Sequence, residues 1–408
     1  MSDESERHAS WPELFFDLIA VAGVSVVAHQ LESEQSWQHV AVLALAFAAF
    51  WIVWASVTTY GNLLADGASI AVLFTSMAVL GVMAASVPEI YGEHARAFAI
   101  AYVVGRLIIA RPWSRTSVVV DMPIVQASLG VIPWIVSIWI EGDARYVWWA
   151  VGIAIDLWVL ATASGERRVA QTQERLNRVL EMRSRHPERQ QGRATGPRAN
   201  RATPTTVTAL RGDSAHLGER MGLFVLIILG EGIVQLTVAA EASEHWSRSL
   251  LWAAVGAFSL VCALFVVAVL RGTAGLALLP EGLVPARVLW IGHLFVAMAL
   301  VVVVAALGEL LEDPAEPASG HTATMLALGI GVYGVVSGLA LLSRKGARRW
   351  IPALAVGAPL LVAGVVVLLA HESLRASALG WLLAGAVVVA GALGGRLLAS
   401  KGAPPAGA

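Results

Sequence analysis

Carboxylates stand in parts of this chain that are otherwise apolar. Glu13 and Asp17 open one hydrophobic run in Pro12-Glu13-Leu14-Phe15-Phe16-Asp17, and Glu219 and Glu231 interrupt another between His216 and Ile233. An ionised carboxylate near the centre of a membrane helix costs about 2.5–3.5 kcal/mol on insertion scales. Such a group needs a partner, a water-filled cavity or a proton. Acids that take up and release a proton or cation are the chemistry that ion-coupled transport uses.

Depth can be read at about 1.5 Å per residue. Asp156 lies eleven residues beyond Arg145, and Glu231 eleven beyond Arg220. Both then fall near the midplane of a hydrocarbon core about 30 Å thick. One acid from each half of the chain at that depth suits an ion-coupling site between repeats. Hydrogen bonding to a neighbouring helix, for packing alone, is the simpler alternative for each. Asp17 and Arg106 lie at matched depth near the cytoplasmic boundary, so a salt bridge between the first and fourth spans is expected. Asp121 competes for that arginine. His293 sits six residues after Arg287 in its apolar run and could relay protons. Glu13 and Asp17, four apart, share a helix face, although Glu13 is also favoured in a first helical turn by the positive helix terminus. Glu219, Arg220 and His216 form a second tier, as an interfacial cap, an anchor and a loop group.

These residues need spanning helices to hold them. The chain has 408 residues, 57% hydrophobic and 14% charged, against about 25% charged in soluble domains. Apolar runs of spanning length cover 13–31, 38–60, 68–88, 95–113, 117–140, 145–164, 219–240, 249–271, 286–310, 322–343, 350–371 and 376–398. The expected fold is all-α, a polytopic transmembrane bundle of about twelve spans in two six-span halves. The fifth span carries Asp121, Pro123, Gln126 and Pro133 and is the weakest. An N-terminal half (1–164), a basic, largely flexible linker (165–215) and a C-terminal half (216–408) follow. Eleven arginines fall in the linker, and Arg344, Lys345, Arg348 and Arg349 fall in one loop. The opposite loops are acidic. The positive-inside rule then puts both termini in the cytoplasm, and the bias toward Ala, Val, Arg and Gly suggests a high-GC bacterium, which would make this an inner-membrane protein. The first thirty residues lack a basic n-region, so the first span is expected to be an uncleaved anchor.

The two stretches that carry the acids resemble the bacterial low temperature requirement A (LtrA) family. Glu13–Leu18 matches its E-L-F-F-D-L segment, and His216–Ile233 matches its H-L-x-E-R-x-G-L-F-x-x-I-x-L-G-E-x-I segment. Tyr102–Arg106 and the region of His293 are weaker echoes. Where the family commonly has Ser after the second Glu, this chain has Gly232, which removes a hydroxyl partner for Glu231. The resemblance implies a multispanning membrane protein and no particular activity.

Other classes find little support. The single cysteine, Cys262, permits no internal disulfide, no helix gathers enough ligands for a metal, and no cofactor is expected. Gly-Ile-Gly-Val-Tyr-Gly (329–334) fits a dinucleotide pattern but lies within an apolar run. Gly334 with Gly338, and Gly218 with Gly222, are read as helix-packing pairs. No folded module accompanies the linker's arginines, which argues against nucleic acid and leaves anionic lipid headgroups as their contact. The reading is a proton- or cation-coupled secondary transporter. A non-transporting membrane stress or scaffold protein is the alternative. An intramembrane lipid-modifying enzyme is a third, for which no catalytic residue is evident.

Overall fold

A computed structural model describes residues 10–33, 36–64, 68–110, 118–120, 129–162, 173–174, 177–178, 208–210, 213–243, 245–282, 284–344 and 348–399. The described residues are helical almost throughout, in keeping with the requirement that backbone polar groups in lipid be satisfied within their own segment. In order the helices are α1 (Trp11–Ser33), α2 (Trp37–Leu64), α3 (Ile70–Ser86), α4 (His94–Ala110), α5 (Val131–Ser137), α6 (Ala144–Thr162) and α7 (Ser214–Ala242). Then come α8 (Arg248–Phe265), extended by a π turn over Val266–Leu270, α9 (Ala286–Ala305), α10 (Glu309–Glu312), α11 (Gly320–Leu342), α12 (Trp350–Ala370) and α13 (Ala376–Ala399). Two three-residue segments, Val118–Val120 and Thr208–Leu210, pair in parallel.

Among the described residues, 9 helices are long and apolar enough to cross a membrane. The expected twelve are therefore not all present at full length. α3 and α4 have 17 residues each, and Arg96 and Arg106 lower the hydropathy of α4. The fifth expected span is represented by the 7-residue α5, because 121–128, including Asp121, lie outside the described residues. So does most of the 165–215 linker.

Contacts at the helix ends sort them onto two faces. The Tyr91 hydroxyl donates to the His39 carbonyl at 3.0 Å, that of Tyr146 to the Ile90 carbonyl at 2.9 Å, and Gln38 to Asp143 at 3.1 Å. These tie the α1–α2, α3–α4 and α5–α6 turns together on one face. On the other, Asn62 at the end of α2 donates to the Asp213 carbonyl at 3.0 Å, at the start of α7. Asp213 caps α7 by accepting from the backbone N–H of Ala215 (2.9 Å) and His216 (3.3 Å).

The later helices are bound by close crossings. α11 and α12 meet where Gly334, Gly338 and Gly357 bring backbones into contact; a Cβ at Gly334 would lie 2.7 Å from that of Leu360. Gly218 and Gly222 make no such crossing, since Gly222 faces open space. α1 packs on α2 and α3 but also on α7 and α9, so it is set among early and late helices alike. Large apolar side chains cover the outside, among them Leu18, Phe74, Trp158 and Leu369, as a lipid-facing surface demands. Trp37, Trp246 and Trp350 are exposed at helix starts, whereas Trp51, Trp54, Trp134 and Trp149 are fully buried core residues.

Candidate functional site

α1 and α7 lie side by side and present their polar residues to each other in register. Ser10 precedes α1 and Glu13 reaches back to it: Glu13 Oε2 accepts from the Ser10 N–H at 2.8 Å and from its hydroxyl at 2.9 Å, the carboxylate half of a capping box. Its other oxygen stands 3.6 Å from His216 Nε2 and 3.6 Å from Arg220 Nη1. One turn on, Asp17 takes two charge-assisted bonds from Arg220, Nε to Oδ2 at 2.8 Å and Nη2 to Oδ1 at 2.7 Å. The indole N–H of Trp54 on α2 donates to Oδ1 at 2.9 Å. Glu13, Asp17, His216 and Arg220 are all buried. Glu219 is more exposed, with an oxygen 3.8 Å from His216 Nδ1.

The expected Asp17–Arg106 salt bridge does not form. Arg106 on α4 instead grips Asp156 on α6, Nη1 to Oδ2 at 2.7 Å and Nη2 to Oδ1 at 3.3 Å. Tyr102, one turn before Arg106, donates its hydroxyl to Asp156 at 3.2 Å. The backbone of Gly130, just before α5, also hydrogen-bonds this carboxylate, and a Cβ there would lie 2.4 Å from it. The Tyr102–Arg106 pattern thus makes one receptor for Asp156, between α4 and α6. Asp156 and Glu231, expected to share a site, keep separate partners.

Glu231 is the exception among the buried acids. It lies in α7, 7% exposed. One oxygen accepts from the Ser25 hydroxyl of α1. The other accepts from the Gln235 side-chain amide at 3.0 Å. No Lys, Arg or His nitrogen among the described residues lies within ion-pairing distance of it. The hydroxyl lacking at Gly232 is thus supplied across the helix pair, by Ser25.

His293 is fully buried on α9, and its Nδ1 is 3.0 Å from the Ala274 carbonyl. Its ring is surrounded by those of Trp51, Trp54 and Phe224, at centroid distances of 5.9, 5.8 and 5.6 Å. The residues after the π turn of α8 fold inward: Thr273, Ala274 and Leu276–Leu279 are buried. Ala274 and Leu278 hold φ of +55°, a conformation that costs non-glycine residues about 1–3 kcal/mol. Non-helical backbone is tolerated at such a place only when protein covers it. His293 and the Ser337 hydroxyl, which accepts from the Ala277 N–H at 3.2 Å, are part of that cover.

A family model described as bacterial low temperature requirement A protein (LtrA) matches residues 8–391. The chain belongs to the LtrA family. No match is found among curated proteins, and none among solved structures. The two stretches that carry the LtrA resemblance are thus the two helices, α1 and α7, whose buried charges pair. Among the described residues no three of His, Cys, Asp and Glu are placed to hold a metal ion.

Ser25, Gln235 and Trp54 escaped the sequence reading. Gln235 was within reach of it, because it lies four residues beyond Glu231 on the same face. Ser25 and Trp54 are brought in by packing between helices and carry no local signal.

Proposed function

We propose that this LtrA-family chain is a secondary transporter of the bacterial cytoplasmic membrane, coupled to a proton or small cation that binds at Glu231. The observation that carries the reading is the company each buried acid keeps. Asp17 and Asp156 are each neutralised by an arginine, whereas Glu231 is held by a hydroxyl and an amide. Neither of those partners offsets a full negative charge in a low-dielectric interior, so a proton or cation must do so. A hydroxyl and an amide can also rearrange at low cost when that ion arrives or leaves.

Twelve spans in two halves (1–164 and 216–408), with both termini cytoplasmic, belong to the same reading. The sorting of helix ends onto two faces supports it, as does the concentration of arginines in 165–215, whose role is contact with anionic headgroups. The test is ion flux in proteoliposomes containing a pH-sensitive dye, under imposed H⁺, Na⁺ or K⁺ gradients. Wild type should pass one of these ions and Glu231→Gln should not. Equal flux in the variant, or none in wild type under any gradient, refutes the reading.

A further inference from the structure

We propose that Glu231 is reached by water and ions from one face only, through a cavity whose floor is the side chain of Gln235. The proposal rests on the functional reading of Glu231 and adds the route and its direction. A cavity of about 820 Å³ opens where α1 and α7 end and α11 begins. Its lining includes His29, Glu32, Gln235, Glu309, Glu312 and His321. Gln235 is 7% exposed, and what remains of its surface contributes to the cavity wall. Its amide nitrogen is the atom bonded to Glu231 at 3.0 Å. One side chain therefore separates the carboxylate from a volume large enough for many waters.

The lining favours cations. Glu32, Glu309 and Glu312 face it, with the His29 imidazole 3.6 Å from Glu32, and a cleft lined by an excess of carboxylates concentrates cations. Glu309 is also tied to α11 by bonds from Ser319 and Thr322, which fixes the rim. Among the described residues the other direction from Glu231 is closed. Toward the start of α7, Phe224 is fully buried with its ring 4.4 Å from that of Trp54 and 6.4 Å from that of Phe47. Behind this aromatic layer the Arg220–Asp17 pair bolts α7 to α1. The polar side chain set among these rings, His293, is itself fully buried, so among the described residues this layer offers a hydrated ion no open path. The conformation is open toward the cavity and shut toward the Arg220 end.

Cysteine accessibility tests this without any need for transport. In a Cys262→Ala background, single cysteines are placed at Glu231 or Ser25, with reporters at Glu312 (cavity rim) and Arg344 (opposite face). Oriented membrane vesicles are treated with a membrane-impermeant cationic methanethiosulfonate. Glu231→Cys and Ser25→Cys should both label from the side that labels the Glu312 reporter, and at least tenfold more slowly from the side that labels the Arg344 reporter. Ser25→Cys leaves the carboxylate in place and guards against misfolding of the first variant. Adding Gln235→Ala should speed labelling severalfold, and Gln235→Trp should slow it at least tenfold while the Glu312 reporter is unaffected. Labelling from the Arg344 side, labelling from neither side while both reporters react, or indifference to Gln235 overturns the route. One-sided labelling without ion flux would instead sink the transport reading and leave the route standing.

Discussion

Replacing the Arg106–Asp156 pair separates a structural clamp from an ion-binding group. Asp156 accepts two bonds from Arg106, one from Tyr102 and one from the Gly130 backbone, and both charged side chains are at most 2% exposed. Removing one member of such a pair strands the other charge in a medium that solvates it poorly, at about 3–5 kcal/mol. Asp156→Asn and Arg106→Met should therefore each shift the unfolding equilibrium by about a hundredfold to a few thousandfold. Removing both charges leaves no stranded ion, and apolar replacements of buried pairs are often neutral. The residual cost comes from Tyr102 and Gly130, each losing an acceptor worth about 1–3 kcal/mol. In the triple variant Arg106→Met/Asp156→Leu/Tyr102→Phe neither charge of the pair nor the Tyr102 hydroxyl is left without its partner, so its loss should be less than either single change. Unfolding in mixed micelles, followed by tryptophan fluorescence, measures this; Trp134 lies beside Tyr102, ring centroids 4.2 Å apart. Additive losses from Arg106→Met and Asp156→Asn would refute the coupling. The triple variant should also retain ion flux per folded molecule. Its loss would return Asp156 to the ion path.

Three further changes follow from single contacts. Gly130→Ala places a Cβ 2.4 Å from the Asp156 carboxylate and should cost about 1–3 kcal/mol by overpacking in the same unfolding assay. Asp213→Ala removes the side chain that caps α7 and should cost about 1 kcal/mol, whereas Asp213→Asn should cost little. Trp54→Phe deletes the indole donor to Asp17 and should cost about 1.5–3 kcal/mol, the range for a bond to a charged group. That cost should shrink when Asp17 is also neutralised.

Helices were the legible part of the sequence, and for a physical reason: an apolar run of about twenty residues in lipid has no other way to satisfy its backbone. The run over 286–310 becomes α9 with its short continuation α10, and that over 376–398 becomes α13. Of the runs that come out shorter, α4 carries Arg96 and Arg106, and the fifth run, with Pro133 in α5, lies partly outside the described residues. Pairing was less legible. Matched depth put Asp17 beside Arg106, yet depth fixes only the level of a residue and leaves its azimuth and its neighbouring helix open. The better signal was spacing. Glu13 and Asp17 are four apart, as are His216 and Arg220, so two parallel helices can pair both sets at once. Arg220, read as an interfacial anchor, is buried for that reason. The Ser25–Glu231 contact and the inward fold at 273–279 had no local signature, because both depend on packing between distant segments.

The α1–α7 seam joins a strong contact to a weak one, and the difference decides where it can open. Asp17 and Ser25 are eight residues apart on α1, about 12 Å along the axis. At the first, breaking a buried ion pair costs about 3–5 kcal/mol. At the second, exchanging a hydroxyl–carboxyl hydrogen bond for water costs about 0.5–3 kcal/mol. Helices bolted at one end and lightly latched at the other part at the latch, which is the end nearer the Gln235 cavity. Asp17→Asn should therefore lower stability by about 3–5 kcal/mol while flux per folded molecule stays near wild type. Ser25→Ala should cost about 1–2 kcal/mol and alter flux or its ion dependence. A reversed pattern, with Ser25→Ala the more destabilising and Asp17→Asn the more damaging to flux at equal folded protein, would place the moving contact at the arginine end and overturn the argument.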